Sequence, residues 1–116
     1  MTAIHNMKLK PEPFSMIETG KKTIELRLND EKRQKIKVGD KIIFTLSNSE
    51  NEKLNCVVTA LHRFSSFREL YEKLDLLKCG YTKADIDRAD YRDMNKYYSP
   101  EKQELYGVIG IEVRLI

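Results

Sequence analysis

The alternation of apolar and polar residues predicts five β-strands, each bounded by turn-forming residues. The third and fourth strands have the clearest pattern, and the polar stretch 47–51 between them predicts a hairpin. The last strand places Ile109, Ile111, Val113 and Leu115 on one face. The five predicted strands cover residues 4–9, 23–28, 41–46, 54–64 and 107–116.

Helix-capping and helix-ending residues predict short helices between these strands. Gly20 is expected to end the first helix in a left-handed conformation, and Asp30 is expected to cap a single turn. Thr82 begins a strongly charged segment whose thin apolar stripe predicts a helix on the surface or over a cleft. The predicted helices cover residues 13–19, 31–34 and 83–97, and two more begin at Ser65 or Ser66 and at Ser99.

This order of elements predicts an α+β fold. Mostly consecutive strands with helices inserted between them indicate a small mixed β-barrel of five to six strands, with inserted and flanking helices. A doubly wound sheet would need a regular alternation of strand and helix, which the chain lacks. The 116 residues suffice for one domain and are too few for two ordinary ones, so residues 1–116 are expected to form a single domain.

The second predicted strand carries the most informative polar face. Its apolar residues point one way, while Thr23, Glu25 and Arg27 point the other way, because strand side chains alternate. Lys22 lies at the turn just before this strand. An acid and two bases on a rigid element suit a binding or catalytic site. The alternative is that they are ordinary surface charges on an exposed strand.

The charge distribution adds a possible partner. Hydrophobic residues make up 41% of the chain and charged residues 34%, and the net charge is +3. Between residues 20 and 41, eight Lys and Arg residues stand against four acids. Such a local excess is an electrostatic footprint for phosphate backbones, although lysines on a solvated loop are its common alternative.

The same composition indicates where the protein works. No apolar run approaches the ~20 residues that span a bilayer. The first residues lack the basic and apolar regions of a signal peptide. The two cysteines, Cys56 and Cys79, do not form a disulfide framework and are expected to be reduced thiols. We therefore expect a cytoplasmic protein without a membrane partner.

Gly20, Lys22, Glu25 and Arg27 form the pattern G-x-K-x-x-E-x-R. This pattern resembles the signature of the ASCH family, and the chain is similar to the small bacterial stand-alone members of that family, which belongs to the PUA-like superfamily. A Val-Gly-Asp turn at 38–40 and the C-terminal sequence Tyr-Gly-Val-Ile-Gly-Ile add to the likeness. The resemblance extends over nearly the whole chain.

The resemblance implies a PUA-like β-barrel with the polar residues of the motif in a cleft, and a general function in RNA binding. Some family members are hydrolases. One bacterial branch resembles an amidohydrolase of N4-acetylcytidine that uses a Lys, Thr and Glu set, and a ribonuclease activity is attributed to another. Lys22 matches the lysine of the amidohydrolase branch, whereas the threonine of that branch falls on Glu25 in this chain. Thr23 is nearby but lies in a different strand register.

Two other groups of residues suggest chemistry of their own. Cys56 and His62 share a face of the long fourth strand, but their spacing matches no zinc site, and Cys56 is better interpreted as a core residue. A late group of tyrosines suits either stacking on bases or packing of the last helix against the barrel. The group consists of Tyr91, Tyr97, Tyr98 and Tyr106.

The leading hypothesis is an RNA- or nucleotide-binding module in which Lys21, Lys22, Thr23, Glu25 and Arg27 line the ligand cleft. The alternative is a small hydrolase acting on a modified nucleoside or on RNA, with Lys22 and Glu25 as its catalytic residues. A protein–protein adaptor on the same scaffold is the third hypothesis, since fold does not determine function. No cofactor and no metal ion are expected, and the sequence leaves the oligomeric state undetermined.

Overall fold

The computed structural model describes residues 2–116, which form five strands, four α-helices and three 3₁₀ helices. The strands are β1 (Ile4–Leu9), β2 (Ile24–Leu28), β3 (Lys41–Leu46), β4 (Ser49–Phe64) and β5 (Val108–Leu115). The α-helices are α1 (Pro11–Glu18), α2 (Glu31–Gln34), α3 (Phe67–Lys73) and α4 (Pro100–Tyr106). The 3₁₀ helices span Leu76–Cys79, Ile86–Arg88 and Tyr91–Lys96.

All five strands form one sheet in the order β1-β3-β4-β5-β2, which curls into a half-barrel. β1 pairs with β3 in parallel, and the other pairs are antiparallel. The predicted α+β class and the mixed barrel-like sheet are therefore confirmed. Within residues 2–116 only β3 and β4 are joined by a tight turn, whereas β5 pairs with the preceding strand β4 across the helical segment 65–107, so the sheet contains fewer hairpins than the sequence suggested.

The half-barrel buries apolar side chains on both faces of the sheet. Its concave face holds a core that contains Phe44 of β3 and Ile109, Ile111 and Val113 of β5. A second core lies under α3 and contains the apolar residues of β2, which are Ile24, Leu26 and Leu28. The alternation predicted for β2 and β5 is therefore present, except that Leu115 at the end of β5 is exposed.

The edge strands β1 and β2 leave a seam where a closed barrel would pair them. The carbonyl groups of Ala3 and Leu9 accept hydrogen bonds from the β3 side. Those of Asn6 and Lys8 point to the opposite edge, because successive carbonyls in a strand alternate in direction. Lys32 Nζ donates to the Asn6 carbonyl, and Arg27 Nη2 donates to the Lys8 carbonyl over 2.8 Å. Side chains therefore bridge the seam in place of a strand ladder.

Most helix starts lie where the capping residues predicted them. The side chains of Asp30, Ser66 and Ser99 each accept a hydrogen bond from a backbone N–H in the first turn of the helix that follows. Gly20 follows α1 with φ of +78°, the left-handed conformation that was expected. Helix α1 begins two residues earlier than predicted, at Pro11.

Two local predictions were wrong. The predicted helix over 83–97 is replaced by two short 3₁₀ helices with an extended link at Ala89 and Asp90. Aspartates explain the break, because Asp85 accepts from the Thr82 N–H and Asp90 accepts from the Arg92 N–H, and such local bonds compete with a continuous helix. The predicted loop over 47–51 is a tight turn, and β4 begins already at Ser49.

Within the described residues, no helix is long and apolar enough to cross a membrane.

Candidate functional site

Lys22, Glu25 and Arg27 form an ion cluster at the seam of the half-barrel. Lys22 Nζ lies 2.8 Å from Glu25 Oε1, and Arg27 Nε lies 2.7 Å from Glu25 Oε2. Each carboxylate oxygen therefore has its own cationic donor. The Arg27 guanidinium also holds the Lys8 carbonyl of the opposite edge strand, so the cluster is fixed to both sides of the seam.

The strand register explains why this cluster is buried. Glu25 lies opposite Ile111 and Arg27 lies opposite Ile109 in the antiparallel pair of β2 and β5. Residues directly opposite each other share a face of the sheet, and both isoleucines belong to the concave core. Glu25 and Arg27 therefore point into the half-barrel, and only 6% of the Glu25 side chain is exposed.

Charge partners keep Glu25 ionised despite this burial. Desolvation by itself raises the pKa of a buried carboxyl, because it disfavours the charged form. The opposing attraction and hydrogen bonds of Lys22 and Arg27 outweigh desolvation, and the pKa of Glu25 is lowered below its usual value. With one anion and two cations, the cluster carries a net charge of +1 at neutral pH.

The cluster lines an open cleft of about 830 Å³ between the seam and residues 79–98. Six lining residues carry positive charge and four carry negative charge, so the cleft favours an anionic ligand. Its volume lies within the ~300–1,000 Å³ of small-molecule sites. The charged lining residues are Lys8, Lys10, Glu12, Lys22, Glu25, Arg27, Asp85, Arg88, Asp93 and Lys96.

Gly80 provides the surface on which the Lys22 side chain rests. Its φ is +112°, and a Cβ at this position would lie 3.4 Å from Lys22 Cδ. A side chain here would therefore meet both backbone strain and a close contact with Lys22. The sequence showed Gly80 only as the end of an apolar segment, and its contact with the ion cluster is a product of tertiary structure.

A chain of hydroxyl groups forms the opposite wall of the cleft. The Tyr71 and Tyr81 hydroxyl oxygens are 2.7 Å apart, and the Tyr81 hydroxyl donates to Asp93 over 2.7 Å. Burial raises the pKa of Tyr71 to about 12 and raises that of Tyr81 further, so both hydroxyls stay protonated at neutral pH. Sequence reasoning missed this chain, because no periodic pattern links residues so far apart.

Two of the late tyrosines pack against the second core, and Tyr97 is exposed. Tyr98 stacks on Phe67 with ring centroids 6.2 Å apart, and Tyr106 packs against the same core. Tyr97 lines the cleft but is 61% exposed, with Lys10 Nζ 6.0 Å from its ring centroid. The packing interpretation therefore holds for two of these tyrosines, and Tyr97 presents an accessible ring at the rim.

The structure brings together three of the five residues predicted to line the cleft. Lys22, Glu25 and Arg27 form the cluster described above. Lys21 is exposed and does not line the cleft. Thr23 lies before β2 begins, where its N–H donates to the Lys78 carbonyl, and it does not line the cleft either.

The histidines and cysteines do not converge. His5 is paired with Asp40 over 2.8 Å and His62 with Glu112 over 2.9 Å. Cys56 is buried in the concave core, which agrees with its interpretation as a core residue. Among residues 2–116, no three His, Cys, Asp or Glu side chains are grouped so as to hold a metal ion.

The curled mixed sheet, with a polar cluster at its open seam, defines the class as a PUA-like α+β domain. The family model for the ASCH domain matches residues 7–116, and the chain belongs to the ASCH family. The resemblance stated from the motif is thereby confirmed.

Solved structures extend this result. The crystal structure of the hypothetical protein PH0355 is 36% identical, with a TM-score of 0.80 over 97% of this chain and 99% of that chain. The solution structure of protein PF0455 from Pyrococcus furiosus is 35% identical, with a TM-score of 0.74 over 97% of each chain. A mutant of ZmASCH from Zymomonas mobilis has the same fold at 15% identity, with a TM-score of 0.66 over 96% of this chain and 67% of that chain. A search of curated proteins found no match to this sequence.

Proposed function

We propose that the protein binds RNA and accommodates one nucleotide unit in the cleft, where Lys22 and Arg27 contact a phosphate or the acceptor edge of a base. The observation that carries this proposal is the ion cluster itself, with two cations held 2.8 and 2.7 Å from one buried carboxylate on the floor of an open cleft. Membership of the ASCH family supports the same function class.

The cluster has more donors than its protein contacts use. Lys22 commits one N–H to Glu25, and Arg27 commits one to Glu25 and one to Lys8. Their other N–H groups have no protein partner within residues 2–116. Neither residue has a buried side-chain nitrogen without a partner among residues 2–116, so these donors are open to the cleft, where a ligand that supplies acceptor atoms can pair with them.

Asp40 provides a useful contrast within the same chain. Its carboxylate accepts hydrogen bonds from the backbone of Ala3 and Lys37 and lies 2.8 Å from His5. This buried acid ties the N-terminal segment to the turn at residues 37–40 and does not line the cleft. A structural carboxylate is therefore surrounded by protein partners, whereas the Glu25 cluster faces an open cavity.

In this proposal Glu25 has a positioning role. Both of its oxygens are engaged by cations, which supports this role in preference to accepting a hydrogen bond from an exocyclic amine of a base. Its carboxylate holds Lys22 and Arg27 in fixed directions, which lowers the entropy cost of ligand binding. The exposed ring of Tyr97 at the rim provides a surface for base stacking.

Binding of a fluorescent eight-nucleotide single-stranded RNA by anisotropy tests the proposal. We expect Arg27→Gln to weaken binding at least tenfold, since it removes the cationic fork, while Lys83→Gln, at an exposed position outside the cleft, leaves it unchanged. Amide resonances of the wild type should shift around the cleft on titration. Equal affinity of the wild type and Arg27→Gln, or shifts confined to another face, would contradict the proposal.

Hydrolysis of a modified nucleoside or of RNA is the second candidate. It is favoured by the 2.8 Å contact between Lys22 and Glu25, which is within the range of proton transfer. Two features oppose it. Glu25 stays ionised with both of its oxygens held by cations, and burial raises the pKa of the cleft thiol Cys79 to about 12. The cleft therefore lacks an obvious activated nucleophile, and binding stands as the better-supported function.

A further inference from the structure

A second concavity of about 390 Å³ lies on the outer surface of the sheet. Lys8 lines this outer groove as well as the cleft, so the two concavities are contiguous at that residue. The charged residues of the outer groove are four bases and one acid, namely Lys8, Lys32, Arg33, Lys53 and Glu50.

The strand register places two of these lysines in a row. Lys8 of β1 pairs with Thr45 of β3, and Thr45 pairs with Lys53 of β4. Partners in register share a face, and adjacent strands lie ~4.8 Å apart, so the Lys8 and Lys53 backbones are about 10 Å apart. The row runs directly across three strands, with a hydroxyl between two ammonium groups.

Helix α2 forms the wall beside this row. Lys32 Nζ is fixed on the Asn6 carbonyl, and Arg33 Nη1 lies 3.1 Å from Asp30. Arg33 Nε is buried and is the side-chain atom without a hydrogen-bond partner among the buried atoms of residues 2–116. Arg33 lines the outer groove, so an acceptor that enters the groove meets a guanidinium whose Nε has no partner among residues 2–116.

We propose that the outer groove binds the phosphodiester backbone of a single-stranded RNA whose next nucleotide occupies the cleft, with Lys8 at the junction. This inference rests on the proposed function and deepens it, since it makes the ligand an oligonucleotide strand and not a free nucleotide. Successive cations and a hydroxyl along a shallow track suit a chain of phosphates, which need charge and donors but no deep pocket.

Two double variants separate the groove from general surface charge. Lys32→Gln with Lys53→Gln removes two charges from the groove, whereas Lys21→Gln with Lys35→Gln removes two from exposed positions of the same basic region that line neither concavity. Both variants carry the same net charge, and each changes one residue in or next to α2. Thermal unfolding checks that both remain folded.

The probes are an eight-nucleotide single-stranded RNA, a DNA strand of the same sequence and length, the four nucleoside 5′-monophosphates and an acidic peptide. We expect the wild type to bind the RNA at least tenfold more tightly than any monophosphate. The groove variant should lose roughly tenfold of its RNA affinity and about one unit of salt slope, since single strands contribute ~0.7 per phosphate contact. The control variant and all monophosphate affinities should stay near wild type, and DNA should show the same loss as RNA.

The outcomes distinguish the two proposals. Monophosphate binding with no gain for the oligonucleotide, or equal losses in the groove and control variants, would overturn the groove and leave the cleft proposal standing. If neither the RNA nor any monophosphate binds, both the proposed function and the groove proposal are overturned. Binding of an acidic peptide in preference to RNA at the same variant-sensitive groove would also overturn the inference.

Discussion

Glu25 is the residue on which the candidate site depends. It is the most buried member of the ion cluster, and its two oxygens fix the positions of both cations. Such a buried cluster is weak evidence for stability, because well-packed apolar residues often replace buried ion pairs without loss. Its position at an open cleft is what the proposed binding role would explain.

Glu25→Gln should destabilise the fold at neutral pH by roughly 3 kcal/mol, since it leaves two partly buried cations without their anion. The pKa of Glu25 is lowered in the folded state, so its contribution is fully present above the unfolded value of 4.5 and is lost as pH falls through the folded value. Urea unfolding at pH 7, 5, 4 and 3 should therefore show a difference between wild type and variant that shrinks with acid. Glu104→Gln, at an exposed position in α4, serves as the control. A difference that stays constant between pH 7 and 3 would be incompatible with this account.

Gly80→Ala tests the contact between residue 80 and the Lys22 side chain. The φ of +112° costs an alanine about 1–2 kcal/mol, and its Cβ would lie 3.4 Å from Lys22 Cδ, in van der Waals contact that restricts where the lysine side chain can lie, so we expect both lower stability and weaker RNA binding. Gly39→Ala is the matched control, because φ is +94° there and nothing lies within 4 Å of a Cβ. Unfolding and anisotropy measurements should show similar losses of stability, with weakened binding in Gly80→Ala alone. Equal binding by the two variants would show that the Lys22 contact is unimportant.

At the scale of elements, the segment that follows Gly80 matters most. It was predicted as one charged helix over a cleft, and it does form the cleft wall, but as two short 3₁₀ helices. A regular helix would not bring Tyr81 and Asp93 together, since they are twelve residues apart along the chain. The irregular path is therefore what closes the hydroxyl chain against Tyr71 of α3.

Tyr81→Phe should loosen this wall without disturbing the sheet. The substitution removes the hydroxyl that joins Tyr71 to Asp93, at a cost of about 1 kcal/mol. Hydrogen exchange followed by mass spectrometry should show faster exchange across residues 81–98 and unchanged protection in β4 and β5. Tyr97→Phe is the control, since its hydroxyl makes no hydrogen bond within residues 2–116. Equal exchange in the two variants would show that the hydroxyl chain does not hold the wall in place.

At the scale of the whole molecule, the open seam of the half-barrel determines where a ligand can reach the concave face. Arg27 of β2 and Lys32 of α2 hydrogen-bond to the carbonyl groups of β1 across the gap, so the gap is neither closed by a ladder nor filled by the apolar core. The cleft lies on one side of Lys8 and the outer groove on the other. A barrel that closed by strand pairing would have no such opening.

The assembled cleft should not hydrolyse N4-acetylcytidine at a robust rate. An amide hydrolase needs an activated nucleophile, a proton shuttle and a donor for the oxyanion, and of these the cleft clearly offers only the donors. Incubation of the protein with N4-acetylcytidine, followed by chromatography for cytidine, checks this. Glu25→Thr should not gain robust activity by itself. Turnover by the wild type that disappears in Lys22→Ala would favour the hydrolase proposal over the RNA-binding proposal.

Local sequence determined the elements and their faces. Period-two alternation placed Glu25 and Arg27 on one side of β2, and capping side chains placed the starts of α2, α3 and α4, because both signals involve residues close together in the chain. The motif around Lys22 identified the family, and with it the half-barrel. These inferences needed no knowledge of which strands pair.

Only the tertiary structure decided what surrounds that polar face. The parallel pairing of β1 with β3 created the seam, and the opposition of Glu25 to Ile111 turned an apparently exposed face inwards. The contact of Gly80 with Lys22 and the hydroxyl chain of the far wall join residues distant in sequence, which no periodic pattern records. Lys21 and Thr23 are the chain neighbours of Lys22, but this adjacency did not bring them into the cleft. A strand's sequence fixes which side chains lie together, whereas the partner strands determine whether that side is solvent, core or binding cleft.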